Sequence, residues 1–327
     1  MCEGSGVLAA YVHDLKPYLF KVNDAIALRY YGLAYLAGFV GVYWVLRFLA
    51  RRKLFVLKEE EIGDFVAMTA LLGVFLGGRL GYVLFYMLPR YGIGALIEDP
   101  LSVVRVWDGG MASHGGILGV MIVLWIYARR KKVPWTALGD GVCIGAPIGL
   151  FFGRVANFIN GELYGRATDS AIGIKFPKSL IEESPERQAS AFRAVFEADP
   201  GLVGHPKPIE ALSEAVRTTP AVKQAIEPWL TPRHPSQLYE AALEGAVLFA
   251  ILFWVRMRWP KLPNGVVTGL FFTLYAVFRI FVEQYRQPDA AMIGPLTEGQ
   301  FLSLFMIAIG AGFLIFAFRR GRADARG

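Results

Sequence analysis

The segment Gly153-Arg-Val-Ala-Asn-Phe-Ile-Asn-Gly-Glu-Leu-Tyr-Gly165 stands at the end of a long apolar run. It places a cation, Arg154, and a carboxylate, Glu162, among amides and glycines. A helix cap followed by a turn would explain Asn160 and the glycine after it. It would not explain Arg154 and Asn157, which lie one turn apart on the same helical face. Because such a cluster at a membrane surface is costly unless it binds a polar group, we predict a binding site here.

The composition indicates an integral membrane protein. Hydrophobic residues make up 55% and charged residues only 19% of the 327 residues, whereas soluble domains are usually less apolar and more charged. The net charge of +7 comes from Lys and Arg clusters beside apolar runs, which is typical of cytoplasmic loops and does not indicate a nucleic-acid partner. The two cysteines, Cys2 and Cys143, have no spacing typical of a zinc site, and we predict neither a metal nor a cofactor.

Seven apolar runs have the length that crosses a bilayer core, about 17–25 residues. They lie at roughly 26–48, 64–88, 111–128, 136–153, 237–256, 265–284 and 300–318. Lys and Arg concentrate after the first, third, fifth and seventh runs, which places those loops in the cytoplasm. The predicted fold is therefore an all-α integral membrane protein with seven transmembrane helices, its N-terminus outside and its C-terminus inside. No removable signal peptide is expected.

Two regions outside the runs have their own predictions. Residues 1–25 carry apolar side chains spaced like an amphipathic helix on the membrane surface. Residues 166–234 form a long outer connection, for which we predict a small extracytoplasmic cap with helices at Ser184–Ala198 and Pro208–Trp229. This cap would be inserted into a single membrane-embedded catalytic domain that covers residues 1–327. No internal repeat is evident, so an inverted-repeat transporter is not favoured.

Ionisable side chains inside the apolar runs are candidate site residues. Arg79 lies within the second run, beside glycines that permit close helix approach. In the sixth run Tyr275, Arg279, Glu283 and Arg286 share one helical face. A salt-bridge ladder centred on Glu283 is the simplest interpretation of that face, and it is compatible with an arginine that also meets a ligand.

Two further candidates begin helices on the outer side. His114 stands near the outer end of the third run, where Gly115, Gly116 and Gly119 thin the helix beside it. Tyr31 begins the first run. A polar interfacial anchor remains the alternative for His114, and an aromatic-belt residue is a strong alternative for Tyr31. The other histidines are weaker candidates, and His234, before a proline, is expected to be structural.

Topology places the polar residues of four runs at a similar depth in the outer leaflet, namely Tyr31, His114, Arg154, Asn157, Glu162, Arg279 and Arg286. Arginine binds phosphate oxygens in pairs, so this set favours an anionic ligand, and a lipid headgroup is the natural phosphate at that depth. One alternative is a transporter or channel for an anionic solute, which would need polar residues through the full membrane depth. A scaffold without chemistry is the other, and the cost of buried charge argues against it.

The Gly153–Gly165 segment resembles the signature of the prolipoprotein diacylglyceryl transferase family. The resemblance extends over most of the chain, apart from residues 166–232. It includes Tyr31-Gly, Phe75-Leu-Gly-Gly-Arg79, Ser113-His-Gly-Gly, Arg233-His-Pro-Ser-Gln-Leu-Tyr-Glu240 and Phe278-Arg279 through Glu283 to Arg286-Gln-Pro-Asp289. Ala156 stands where glycine is frequent in the family.

This resemblance implies a reaction and a location. The family moves the diacylglyceryl group of phosphatidylglycerol onto the lipobox cysteine thiol of a prolipoprotein signal peptide, forming a thioether and releasing glycerol phosphate. That reaction is the first step of lipoprotein maturation. The expected location is the bacterial inner (cytoplasmic) membrane, with the active site near the extracytoplasmic face. The residues linked to activity are Tyr31, His114, Arg154, Asn157, Glu162, Gly165, Tyr275 and Arg279, supported by Arg79, Glu283 and Arg286.

The residues suit that chemistry. A free thiol titrates near about 8.5 and needs a base or cationic surroundings, for which His114 is the candidate, unless it only hydrogen-bonds the lipid. Arg154 and Arg279 would hold the phosphate and stabilise charge on the departing oxygen. The predicted catalytic residues are thus His114, Arg154, Tyr275 and Arg279. The predicted phosphatidylglycerol-binding residues are Tyr31, Arg79, Arg154, Asn157, Glu162, Gly165, Arg279, Glu283 and Arg286.

Overall fold

A computed structural model describes residues 10–22, 27–105, 109–288 and 292–324, and most of these residues are helical. The main helices are α1 (Tyr30–Arg51), α2 (Glu59–Tyr91), α3 (Ser113–Lys131), α4 (Trp135–Asn160), α5 (Pro185–Ala198), α6 (Pro208–Thr218), α7 (Pro220–Ile226), α8 (Ser236–Arg258), α9 (Val266–Val282) and α10 (Glu298–Asp324). Shorter helical turns lie at Gly94–Glu98, Pro100–Val103, Pro177–Glu182, Pro200–Leu202 and Glu227–Trp229. Helix α2 contains π-helical turns at Thr69–Leu76 and Val83–Met87, and α8 contains one at Ala241–Val247.

Within the described residues, five helices are long and apolar enough to cross a membrane, namely α1, α2, α4, α8 and α10. This finding confirms the prediction of a predominantly helical membrane protein. Helix α9 is apolar but shorter, and α3 coincides with the third predicted run. That seven helices span the membrane, and in which orientation, stays a prediction.

The predicted amphipathic helix near the N-terminus is wrong for residues 10–22. Val12 forms a parallel bridge with Lys175, and β1 (Tyr18–Lys21) pairs antiparallel with β2 (Ala27–Arg29). Pro17 gives the physical reason, since proline removes a helical hydrogen-bond donor and its ring clashes inside a helix. The backbone groups of this segment bond across strands instead.

The chain forms two compact units. The first comprises residues 1–38, 147–248 and 272–309, and the second comprises residues 39–146, 249–271 and 310–327. Most predicted site residues belong to the first unit, whereas Arg79 and His114 belong to the second. The single catalytic domain with an inserted cap stays a prediction.

In the second unit, glycines allow α2 and α3 to pack with their backbones almost in contact. A Cβ atom added at Gly81 would lie 2.4 Å from the Cα of Gly115, and one added at Gly77 would lie 2.9 Å from the Cα of Gly119. Side chains at these positions would push the helices apart. The close approach that the glycine pattern predicts is therefore confirmed.

In the first unit, the cap helices surround their own apolar cluster, formed by Val12, Leu180, Ala191, Val195, Leu212, Ala215, Val216, Val222, Ile226 and Leu230. Helix α5 begins after Ser184, whose hydroxyl accepts from the amide of Arg187 at 3.3 Å. Both predicted cap helices are confirmed, but the second is interrupted at Thr219, because Pro220 starts a new helix.

Candidate active site

Glu240 is the centre of a buried charge cluster in the first unit. Its carboxylate is fully buried. The Oε2 atom lies 2.8 Å from Nε of Arg154 and 3.1 Å from NH1 of Arg279, while Oε1 accepts from NH1 of Arg286 at 2.9 Å. One carboxylate thus holds three guanidinium groups from α4, α9 and the segment after α9.

Glu283 restrains Arg279 from the other side. It lies one turn later on the same helical face, and its Oε2 atom is 3.0 Å from NH2 of Arg279. The predicted pairing of these residues is confirmed. The NH1 group of Arg286, the other arginine of the predicted ladder, is bound by the carboxylate of Glu240.

Glu244 is a second buried carboxylate of α8, one turn after Glu240. Its side chain is fully buried. Oε1 lies 3.8 Å from NH1 of Arg279, and Oε2 lies 3.9 Å from NH2 of Arg154. Tyr275 of α9 interacts electrostatically with Glu244 and with both arginines, which places it beside the same cluster.

A second polar cluster gathers the amide and carboxylate of the signature segment. Tyr31 donates to Glu162, and Asn157 donates to Tyr31. Asn157 also donates to Oε1 of Glu162 at 3.4 Å. Lys178 of the cap lies 3.6 Å from Oε2 of Glu162. The structure therefore brings Tyr31, Asn157 and Glu162 together, as the shared depth of their helices predicts.

The turn after α4 fixes Glu162 in place through unusual backbone conformations. Gly161 has φ of 64° and Leu163 has φ of 56°, in the left-handed region that non-glycine residues rarely occupy. The Glu162 carbonyl accepts from Nε2 of Gln237 at 2.7 Å. Such strain at a non-glycine residue is typical of functional sites.

The backbone of Gly165 connects the end of the Gly153–Gly165 segment to two segments that are distant in the sequence. Its amide donates to the carbonyl of His234 at 2.8 Å, and it bridges Arg286 in an antiparallel sense. A Cβ atom here would lie 2.4 Å from the Tyr285 carbonyl oxygen. Gly165 therefore supports the site through its backbone, because a side chain would not fit.

The N-terminal segment also supports the signature turn. The His13 ring is buried and packs against Phe158 and Phe176. A Cβ atom at Gly161 would lie 3.0 Å from its Nδ1. Burial lowers the pKa of His13 to about 4, and the positive charge of Arg217 acts in the same direction. Burial also lowers the pKa of His234, whose ring lies against Tyr239 and Tyr285.

Arg79 and His114 lie in the second unit. The Arg79 guanidinium is buried and donates to backbone carbonyls, with Nε 3.2 Å from Ser102 O and NH1 2.9 Å from Gly110 O. These contacts suit a residue that holds a loop together. His114 is exposed in the first turn of α3. Substrate binding by Arg79 and base catalysis by His114 stay predictions.

Sequence reasoning assigned no role to Glu240, Glu244 or Lys178. The two glutamates are carboxylates spaced by one turn in an apolar helix long enough to cross a membrane, and that signal alone marks them as candidates. Lys178 carries no such signal, because it lies in the cap among other charges. Asp289, quoted with the family motif, lies outside the described residues.

Comparison with known proteins adds independent information. A family model described as prolipoprotein diacylglyceryl transferase matches residues 17–316. A Bdellovibrio bacteriovorus protein named phosphatidylglycerol–prolipoprotein diacylglyceryl transferase is 38% identical over 327 residues, covering 91% of this chain and 92% of its own length. Proteins of the same name from Salmonella paratyphi B and Salmonella heidelberg are 40% identical over 319 residues, covering 95% of this chain and 97% of theirs.

Proposed function

This chain belongs to the prolipoprotein diacylglyceryl transferase family. We propose that it binds the phosphate of phosphatidylglycerol with Arg154 and Arg279. It is a transferase that moves the diacylglyceryl group from phosphatidylglycerol to a prolipoprotein. The acceptor is the lipobox cysteine thiol of the precursor's signal peptide, and the products are a thioether and glycerol phosphate.

The assignment of Arg154 and Arg279 as the phosphate-binding residues rests on how far each charged side chain of the cluster is buried. Glu240 has no exposed side-chain surface, and Arg286 and Glu283 keep only 6% and 4%. Arg154 and Arg279 keep 19% and 14% exposed, while both are anchored on Glu240. They are the two guanidinium groups that combine a fixed position with an open side. Arg286 and Glu283 then act as positioning residues.

The Tyr31, Asn157 and Glu162 cluster suits the glycerol headgroup. Its amide, phenol and carboxylate can donate to and accept from hydroxyl groups. Arg154 and Asn157 lie on one face of α4, so a lipid phosphate on the arginine would bring its glycerol hydroxyls toward the amide. Lys178 adds a cation beside Glu162 and limits the negative charge that the phosphate would meet.

The reaction is a displacement at carbon. The sulfur of the cysteine forms a bond to the terminal glycerol carbon of the diacylglyceryl group, and that carbon's bond to the phosphate oxygen breaks. The thiol proton goes to a base, for which His114 is the candidate. Charge that develops on the departing oxygen is stabilised by Arg154 and Arg279, aided by Tyr275.

The membrane arrangement completes the proposal. Seven helices span the bacterial inner membrane, with the N-terminus and the cap on the extracytoplasmic side and the C-terminus in the cytoplasm. The five long apolar helices and the Lys and Arg clusters after alternate runs support this arrangement. The site then opens near the extracytoplasmic face.

A mass-spectrometric assay tests the function directly. Purified protein would be mixed with phosphatidylglycerol and a peptide that contains a lipobox cysteine. We expect the peptide to gain the mass of a diacylglyceryl group, and we expect a cysteine-to-serine peptide to gain none. An unmodified peptide, together with flux of an anionic solute in proteoliposomes, would favour a transporter instead.

A further inference from the structure

Glu244 is the least satisfied charged group in the arginine cluster. It is fully buried within the π-helical turn Ala241–Val247. Among the described residues, neither of its oxygens has a hydrogen-bond partner. Its nearest cations, Arg279 and Arg154, lie at 3.8 and 3.9 Å. A buried carboxylate in this position is only partly compensated as an anion, and π-helical turns are frequent at functional sites.

The charges around Glu244 explain why its ionisation matters. Arg154 faces it from α4, and Arg279 and Tyr275 face it from α9. Arg286 and Glu240 also act electrostatically on Glu244. With Glu283 included, the cluster contains three guanidinium groups and three carboxylates. Its net charge is zero when all six are ionised. A cluster without net charge attracts a phosphodiester poorly.

Neither of the other two carboxylates is as free to lose its charge. Glu240 accepts hydrogen bonds from Arg279 and Arg286 and is paired with Arg154. Glu283 lies 3.0 Å from NH2 of Arg279. Protonation of either would remove a close ionic contact, whereas protonation of Glu244 removes only two contacts near 4 Å.

We propose that Glu244 takes up a proton when an anionic phospholipid phosphate binds between Arg154 and Arg279, and releases it when the phosphate leaves. The proton comes from water. With Glu244 neutral, the cluster has one positive charge in excess, which matches the single negative charge of a phosphodiester. Glu244 is thus a positioning residue that sets the charge of the phosphate site, and this proposal rests on the assignment of Arg154 and Arg279 to that phosphate.

Proton uptake on lipid binding provides the test. Phosphatidylglycerol would be added to the full-length protein in weakly buffered detergent micelles near neutral pH, with binding and pH change followed together. The wild-type protein should take up protons in proportion to the lipid bound, and the uncharged lipid diacylglycerol should cause no uptake. Linkage then requires phosphatidylglycerol affinity to fall as pH rises, by up to about tenfold per pH unit.

Variants separate the possible outcomes. Glu244→Gln should abolish the linked proton uptake and flatten the pH dependence of lipid affinity, while Glu186→Gln, an exposed cap carboxylate outside the cluster, should behave as wild type. Lipid binding by the wild type without proton uptake would overturn the role of Glu244 but leave the phosphate site standing. Unchanged uptake in Glu244→Gln would also overturn it. A wild-type protein that fails to bind phosphatidylglycerol would overturn both proposals.

Discussion

Arg154 and Arg279 share one oxygen atom of Glu240, with Nε of the first 2.8 Å and NH1 of the second 3.1 Å away. The two arginines come from α4 and α9, which are far apart in the sequence. Like charges so close together repel, and the fully buried carboxylate offsets that repulsion. The arrangement holds two guanidinium groups side by side for a third partner, which we assign as the lipid phosphate.

Arg154→Ala and Arg279→Ala should each lower the rate of diacylglyceryl transfer by at least about 10²-fold, because each removes a donor to the charge that develops on the leaving group. Lysine at either position should restore little, since it lacks the planar fork. The peptide mass assay measures both effects. Cys143→Ser is the matched control and should retain activity, because that thiol is buried and has no part in the proposed chemistry. Normal rates in both alanine variants would contradict the phosphate assignment.

Glu240→Ala should destabilise the protein strongly. Removal of the carboxylate leaves the cations of Arg154, Arg279 and Arg286 without their shared anion, and breaking a buried ion pair typically costs about 3–5 kcal/mol. A lower midpoint of thermal unfolding in detergent would show it. Glu186→Ala changes an exposed carboxylate and should alter stability by no more than about 0.5 kcal/mol. Equal midpoints for the two variants would argue against a central role for Glu240.

Gly165→Ala should abolish transfer. The added Cβ would lie 2.4 Å from the Tyr285 carbonyl oxygen and 2.7 Å from that of His234, so the signature segment would have to leave its present contacts. Gly153→Ala is the control in the same segment, because a Cβ atom there meets no atom within 4 Å. We expect transfer rates near wild type for Gly153→Ala. Full activity in Gly165→Ala would show that the backbone bridge to Arg286 is dispensable.

Gly115→Ala should destabilise the packing of α3 on α2. Its Cβ would lie 2.5 Å from the Gly77 carbonyl oxygen and 2.6 Å from the Gly81 Cα, and backbone atoms cannot move aside cheaply. Thermal unfolding in detergent should show a lower midpoint. Gly63→Ala, in the partner helix α2, adds a Cβ that meets no atom within 4 Å and should be neutral or stabilising, since alanine favours helix. The opposite order of midpoints would be incompatible with the backbone contact.

The stability of the protein should fall in mild acid because of His13. Burial lowers the pKa of His13 to about 4 in the folded protein, against about 6.5 in an unfolded chain. The unfolded state therefore binds more protons between these values, and stability decreases as pH falls from about 6.5 to about 4, by about 3 kcal/mol in all. His13→Leu should reduce this dependence in unfolding measurements across that range. An unchanged dependence would mean that other groups cause it.

The chain itself indicates most of the candidate site, because rare polar residues stand out against apolar helices. Tyr31, Asn157 and Glu162 were predicted to meet, and they do. Glu240 and Glu244 could not be assigned a role from sequence, because their partners Arg154 and Arg279 are remote along the chain. At residues 10–22 the apolar side chains have helical spacing, and the helix predicted from that spacing is wrong. The segment instead pairs as a strand and forms the bridge between Val12 and Lys175.

Sequence alone determined the membrane class and the helical architecture, because these follow from composition and from the length of the apolar runs. Only the tertiary structure decided which charges neutralise one another. Burial makes an ion pair depend on distances of a few ångströms, and the contacts of Glu240 with Arg154, Arg279 and Arg286 are set by how separate helices pack. No local pattern in the sequence specifies those distances.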